Sequence, residues 1–104
     1  DKNKEKKDNN FYDLGEDYVW DIQKKELTHK SLHVKLTKKE ILLLDCLVKN
    51  SSKLCTNELI FELLWGLDQD KASMGTLKSI ISRLRKKVPQ CLIENVYGMG
   101  YRLV

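Results

Sequence analysis

Six cations, Lys71, Lys78, Arg83, Arg85, Lys86 and Lys87, lie between residues 71 and 88, and no acid lies among them. The small hydroxyls of Thr76, Ser79 and Ser82 are interleaved with these charges. Side chains of this kind do one sort of chemistry well. Lysine and arginine neutralise phosphate, arginine also meets base edges through its forked donors, and small side chains allow a close backbone approach. The apolar residues Leu77, Ile80, Ile81, Leu84 and Val88 recur at three- and four-residue steps, which predicts a helix over 73–88 with one buried face. The opposite face carries Gly75, Ser79, Ser82 and Lys86. Lys78 and Arg85 run along one flank, and Arg83 and Lys87 along the other. A duplex major groove, about 12 Å wide between two phosphate strands, asks for this pattern of small residues at the centre and cations at both edges. A merely solvated helix face is ordinarily mixed in sign. Here fifteen acids occur in the chain and none within 71–88.

Other chemistries find little in the residues. There is no G-x-S-x-G, no phosphate loop, no paired carboxylates on one helix and no Cys–His pair in a recognisable context, so no enzyme is expected. Cys46, Cys55 and Cys91 lack C-x-x-C spacing and share no ligand spacing with His29 or His33. Neither metal nor cofactor is therefore expected, and the cysteines read as buried, reduced small hydrophobes of a cytoplasmic protein. The longest apolar run, Ile41–Leu44, is four residues, far short of the roughly 20 that span a bilayer. No signal-peptide pattern opens the chain, and its start at Asp1 reads as that of a fragment or processed product. The net charge of +4 is uneven: residues 71–104 carry seven Lys/Arg against Glu94 alone, a local +6, which leaves −2 on residues 1–70. Such a C-terminal concentration attracts phosphate.

The elements that must position the basic helix are legible by pattern. At 104 residues the chain is one domain with a modest core. Residues 1–10 contain no apolar side chain and read as a linker remnant before a domain over 11–104. Tyr18–Ile22 and Leu32–Leu36 alternate apolar and polar as half-buried strands do, with Glu26–His29 a weaker strand candidate and turns at 15–17, 23–25 and 30–31. This predicts a four-stranded antiparallel sheet. Thr37 with Glu40 three residues on forms a capping box for a core helix over 38–49, apolar on nearly every side. After a short bridge strand at 53–55, Thr56 caps a second helix over 57–65, ended by Gly66. A loop, 67–72, leads to the basic helix, which makes the pair a helix-turn-helix. Pro89 stops that helix. Two apolar runs about Gly98-Met99-Gly100 then form a hairpin, in which both glycines are expected to supply positive φ. The class is α+β, a winged helix-turn-helix with a wing over 93–104.

With helix and hairpin in place, L-T-K-K-E (36–40), L-L-W-G (63–66), T-L-K-S-I-I-S-R-L-R-K-K-V (76–88) and Y-G-M-G-Y-R-L (97–103) make the chain resemble the winged-helix effector domain of OmpR/PhoB-type response regulators over roughly 13–104. The resemblance implies sequence-specific binding to double-stranded promoter DNA, with the third helix in the major groove and the wing at the adjacent minor groove. It also implies a dimer on tandem half-sites, a receiver domain preceding this module, and a polymerase-contact loop at Leu67, Asp68, Gln69, Asp70 and Lys71. Arg83 and Arg85 match arginines that face bases and phosphates, and Thr76 matches a phosphate contact. Lys78, Lys86 and Lys87 add charge, while Ser79 and Ser82 occupy variable reading positions. Relatives often carry a cation where this chain has Gly75, and an arginine where it has Tyr97. Either Tyr97 packs on sugars with Arg102 on a phosphate, or Tyr97 is a strand residue packed on the sheet. The competing function is a protein-docking winged helix whose basic face meets an acidic partner.

Overall fold

Alternation in the first third of the chain has one purpose, which is to drive Trp20 and Leu27 into the core from adjacent strands. The computed structural model describes residues 10–51 and 53–104. The linker expected over 1–10 thus lies, except for Asn10, outside the described residues. Strands β1 (Phe11–Gly15), β2 (Tyr18–Asp21), β3 (Glu26–His29) and β4 (Leu32–Val34) form an antiparallel sheet in sequential order. Trp20 stands opposite Leu27, and Leu27 opposite Val34. Two of the turns, Glu16-Asp17 and Lys30-Ser31, hold both residues at positive φ, the twist that matches two-residue hairpins. β4 stops at Val34, two residues before the expected end.

Helix α1 (Lys38–Lys49) starts at Thr37 with the capping box formed on both sides. Its expectation of all-round burial holds even for polar side chains: Glu40 and Asp45 are buried along with Leu43, Leu44, Cys46, Leu47 and Val48. Asp45 pairs with Lys49 at 3.1 Å and with Lys25 of the β2–β3 turn at 3.6 Å, which ties the sheet to the helix. Helix α2 (Asn57–Trp65) is capped by Thr56 and closed by Gly66 at φ +54. The segment expected as a loop is instead a 3-10 helix over Gly66–Lys71, irregular at Asp68.

Helix α3 spans Met74–Arg85, capped by Ser73 and burying Leu77, Ile80, Ile81 and Leu84. It ends three residues short of Val88, and Pro89 explains where. Four residues before Pro89 stands Arg85, whose carbonyl gets no N–H from proline and would meet its ring. The chain tightens there, with Lys86 N–H donating to Arg83 O at 3.2 Å and Lys87 N–H to Leu84 O at 2.8 Å. Lys86 and Lys87 therefore lie past the helix.

Strands β5 (Cys55–Thr56), β6 (Ile93–Val96) and β7 (Gly100–Leu103) form a second sheet in the order β5-β7-β6. Gly98 has the expected positive φ of +74, but Gly100 does not. The reason for Gly100 is contact: a Cβ there would lie 2.0 Å from the Cys55 carbonyl oxygen and 2.9 Å from Thr56 Cα. Gly100→Ala is expected to cost at least the ~1–3 kcal/mol of ordinary overpacking, because the obstacle is backbone. Gly98→Ala, with nothing within 4 Å, should cost only the ~1–2 kcal/mol of a left-handed residue. Thermal melts of the two variants check the ranking.

Two cysteines meet the expectation of burial and one does not. Cys46 and Cys55 are buried with their sulfurs 3.6 Å apart. Burial, with Cys55 beside it, pushes the Cys46 thiol up to about 12, and burial also raises Cys55. Cys91 is exposed, at φ +67 in the turn after Pro89.

Candidate nucleic-acid interface

The open face of α3 is built by its buried one. Because Leu77, Ile80, Ile81 and Leu84 are held in the core, Gly75, Thr76, Lys78, Ser79, Ser82 and Arg83 are all turned to solvent, with Arg85 and Lys86 continuing the exposed surface at the helix end. The hydroxyls at the helix start are partly engaged. Thr76 Oγ1 accepts from Ser73 N–H at 3.0 Å as the second half of a capping box, and Ser79 Oγ donates to Gly75 O at 3.1 Å.

The cations divide into two groups. Among the described residues, Lys78, Arg83 and Lys86 take part in no ion pair. Arg85, on the expected rail, donates from Nη2 to Ile93 O at 3.0 Å, bracing helix against hairpin. Lys87 departs furthest from expectation: its Nζ lies 2.8 Å from Oε1 of the fully buried Glu40. Burial alone would push the Glu40 carboxyl up. The Lys87 ammonium and the hydrogen bonds from Thr37 outweigh that and hold it below the ordinary carboxylate value. Lys87 thus binds the end of α3 to the start of α1 and is not a free rail charge.

Sequence reasoning missed several neighbours of this face. Lys39 donates to Leu64 O at 2.9 Å at the end of α2 and sits 5.2 Å from the centre of the Trp65 ring. With Arg83, Thr76, Ser79 and Ile80 these two line a recess of about 320 Å³. In the sequence L-T-K-K-E is legible as a cap and as part of the resemblance, while the proximity of Lys39 to α3 comes from helix packing.

The hairpin tip removes one of the Tyr97 alternatives. Tyr97 is 94% exposed, so it is not a strand residue packed on the sheet. Its tip is tied down, with Met99 N–H donating to Val96 O at 2.9 Å and Asn57 N–H at the start of α2 donating to Met99 O at 3.0 Å. Arg102 pairs with Glu94 across the hairpin at 2.6 Å, so the wing carries no unpaired cation. Tyr97 also lines a groove of about 250 Å³ with Met74 and Lys78 of α3 and with Asn57, Asn95 and Tyr101. Leu67, Asp68, Asp70 and Lys71, in the segment between α2 and α3, are exposed. No group of three or more His, Cys, Asp or Glu residues that could hold a metal occurs among the described residues. No helix described is long and apolar enough to cross a membrane.

The family described as "Transcriptional regulatory protein, C terminal" matches residues 29–103. Regulatory protein VanRB of Enterococcus faecalis is 40% identical over 68 residues, covering 65% of this chain and 30% of that protein. Response regulator MprA of a Mycobacterium species is 34% identical over 91 residues, covering 84% of this chain and 39% of the relative. This chain thus spans well under half the length of these curated relatives. Among solved structures, the response regulator DrrB of Thermotoga maritima, an OmpR/PhoB homologue, superposes with a TM-score of 0.76 at 28% identity, covering 91% of this chain and 44% of that one. The DNA-binding domain of Bacillus subtilis CssR gives 0.65 at 28% identity, covering 89% and 99%. An exposed basic helix packed beside a C-terminal hairpin, within a matched region that includes all three helices and both wing strands, places this chain in the family of C-terminal winged-helix DNA-binding domains of OmpR/PhoB-type transcriptional regulators.

Proposed function

We propose that this domain binds double-stranded promoter DNA in a sequence-specific way, with α3 in the major groove and the wing over the flanking minor groove. The observation that carries this is the open face of α3, where Lys78, Arg83 and Lys86 stand free around Ser79 and Ser82 with no acid on the helix. The likeness to a DNA-binding domain from Bacillus subtilis supports it. By the same family relation, the domain is the output module of a cytoplasmic response regulator, joined to an N-terminal receiver domain and acting as a dimer on tandem half-sites. The segment Leu67, Asp68, Gln69, Asp70 and Lys71 between α2 and α3 then faces RNA polymerase.

Selection of bound duplexes from a random-sequence pool, followed by titration at several salt concentrations, tests the proposal. Phosphate neutralisation gives a linear fall of log affinity with log salt. A protein-docking domain would recover no consensus and show no such line. Arg83→Ala is expected to lose about 1–3 kcal/mol of binding and relax preference at one base pair. A loss equal on all sequences would show that Arg83 touches phosphate alone.

Tyr97→Arg adds a cation to a wing that has none free. The slope of log affinity against log salt should steepen by about 0.9, with A·T-rich flanks gaining most because their narrow minor groove concentrates negative potential. An unchanged slope would place residue 97 away from the duplex.

A further inference from the structure

The wing tip is chemically unlike the helix beside it. α3 presents free cations, whereas the hairpin from Ile93 onward holds a single acid and a single base, Glu94 and Arg102, paired with each other. At its tip stand two large side chains with no formal charge, Tyr97 at 94% exposure and Met99 at 56%. Gly98 at φ +74 makes the turn between them, and the Asn57–Met99 bond anchors the tip to the start of α2. Tyr97 and Lys78 line one groove, so a phosphate strand held by Lys78 is carried directly past the tyrosine ring. An exposed aromatic ring beside a phosphate strand can lie on sugars or enter an opened base step, and the step buries more of the ring and adds base stacking.

We infer that Tyr97 acts as an uncharged wedge, inserting from the minor groove at a base step flanking the α3 site and partly unstacking it. Apolar side chains inserted between base steps kink duplexes in this way, and pyrimidine–purine steps yield most easily. The proposal rests on α3 occupying the major groove. It adds that the wing selects its flank by deformability and not by charge, so TA or CA steps should be favoured at the position under residue 97.

The test uses the 104-residue chain and a duplex recovered by the random-pool selection, with 2-aminopurine moved one position at a time through the flank. Binding should raise the fluorescence at one step, reporting its unstacking, and energy transfer between dyes at the duplex ends should report a bend. Tyr97→Ala should abolish both signals and weaken binding about 5- to 150-fold, the range for losing one base–aromatic stack. Tyr97→Phe should keep them. Tyr97→Arg should abolish the fluorescence rise even as it steepens the salt slope. Since the ring is exposed, all three variants should retain the wild-type circular dichroism spectrum and melting temperature. Unchanged 2-aminopurine fluorescence at every position, with Arg83→Ala still relaxing base preference, would overturn the wedge and leave the major-groove assignment standing. Indifference of the duplex to both Arg83→Ala and Tyr97→Ala would remove the assignment beneath it as well. A tip that instead mediates self-association on DNA would show binding that depends on Tyr97 and on protein concentration, without unstacking, and would likewise overturn the wedge.

Discussion

Lys87→Ala is expected to destabilise the domain by about 1–3 kcal/mol at neutral pH, the cost of taking the partner from a buried acceptor, since the carboxylate is buried while Lys87 itself is 32% exposed. The partner left behind is Glu40, 1% exposed, whose Oε2 already has no hydrogen bond among the described residues. With Lys87 present, the carboxyl is held below its ordinary value. A depressed carboxylate stabilises the fold above its unfolded pKa and loses that contribution as pH falls through the folded value. In Lys87→Ala burial is opposed by the Thr37 hydrogen bonds alone, so the carboxyl rises from its wild-type value and ionisation stabilises the variant less. Urea denaturation should therefore show a large gap between wild type and variant at pH 7, which narrows as pH falls from the variant's higher carboxyl value through the wild type's depressed one. A gap constant with pH would mean the lysine contributes packing and not charge. The salt slope for DNA should stay nearly unchanged, because a lysine engaged with Glu40 releases few counterions on binding. This differs from the expectation for a rail lysine, whose removal would make the slope shallower by about one unit.

Leu84→Ala should cost about 2–5 kcal/mol, the range for a truncated core leucine. Leu84 is fully buried in the same core as Leu44 and Leu47 of α1 and Leu77 and Ile81 of its own helix. Its neighbours along the chain are Arg83 and Arg85, so the anchor and the charges are set by one short stretch of helix. Chemical denaturation checks the stability, and a midpoint near the wild-type value would be incompatible with Leu84 in the core. DNA affinity measured well below the variant's melting temperature should fall only in proportion to the unfolded fraction, since no atom of Leu84 reaches the open face.

The caps, the face of α3 and the wing were legible in the sequence because each rests on residues a few positions apart. Thr37 with Glu40, Ser73 ahead of α3, and Leu77 with Ile80, Ile81 and Leu84 are all near neighbours along the chain, and helical periodicity converts such spacing directly into a face. The same reasoning failed wherever a residue was chosen by something far along the chain. Lys87 carries the sequence signature of a rail cation, yet its partner lies 47 residues away. Gly100 looks like a turn glycine, while the atom that forbids a side chain there is the Cys55 carbonyl on the neighbouring strand. The carbonyl partner of Arg85 lies across Pro89 on the hairpin, and the exposure of Tyr97 depends on how the start of α2 holds the tip. Backbone periodicity is enforced by bonds between near neighbours and so is written locally. Which charge is spent inside the fold and which stays free for a ligand is decided by burial, and burial exists only once distant segments have packed.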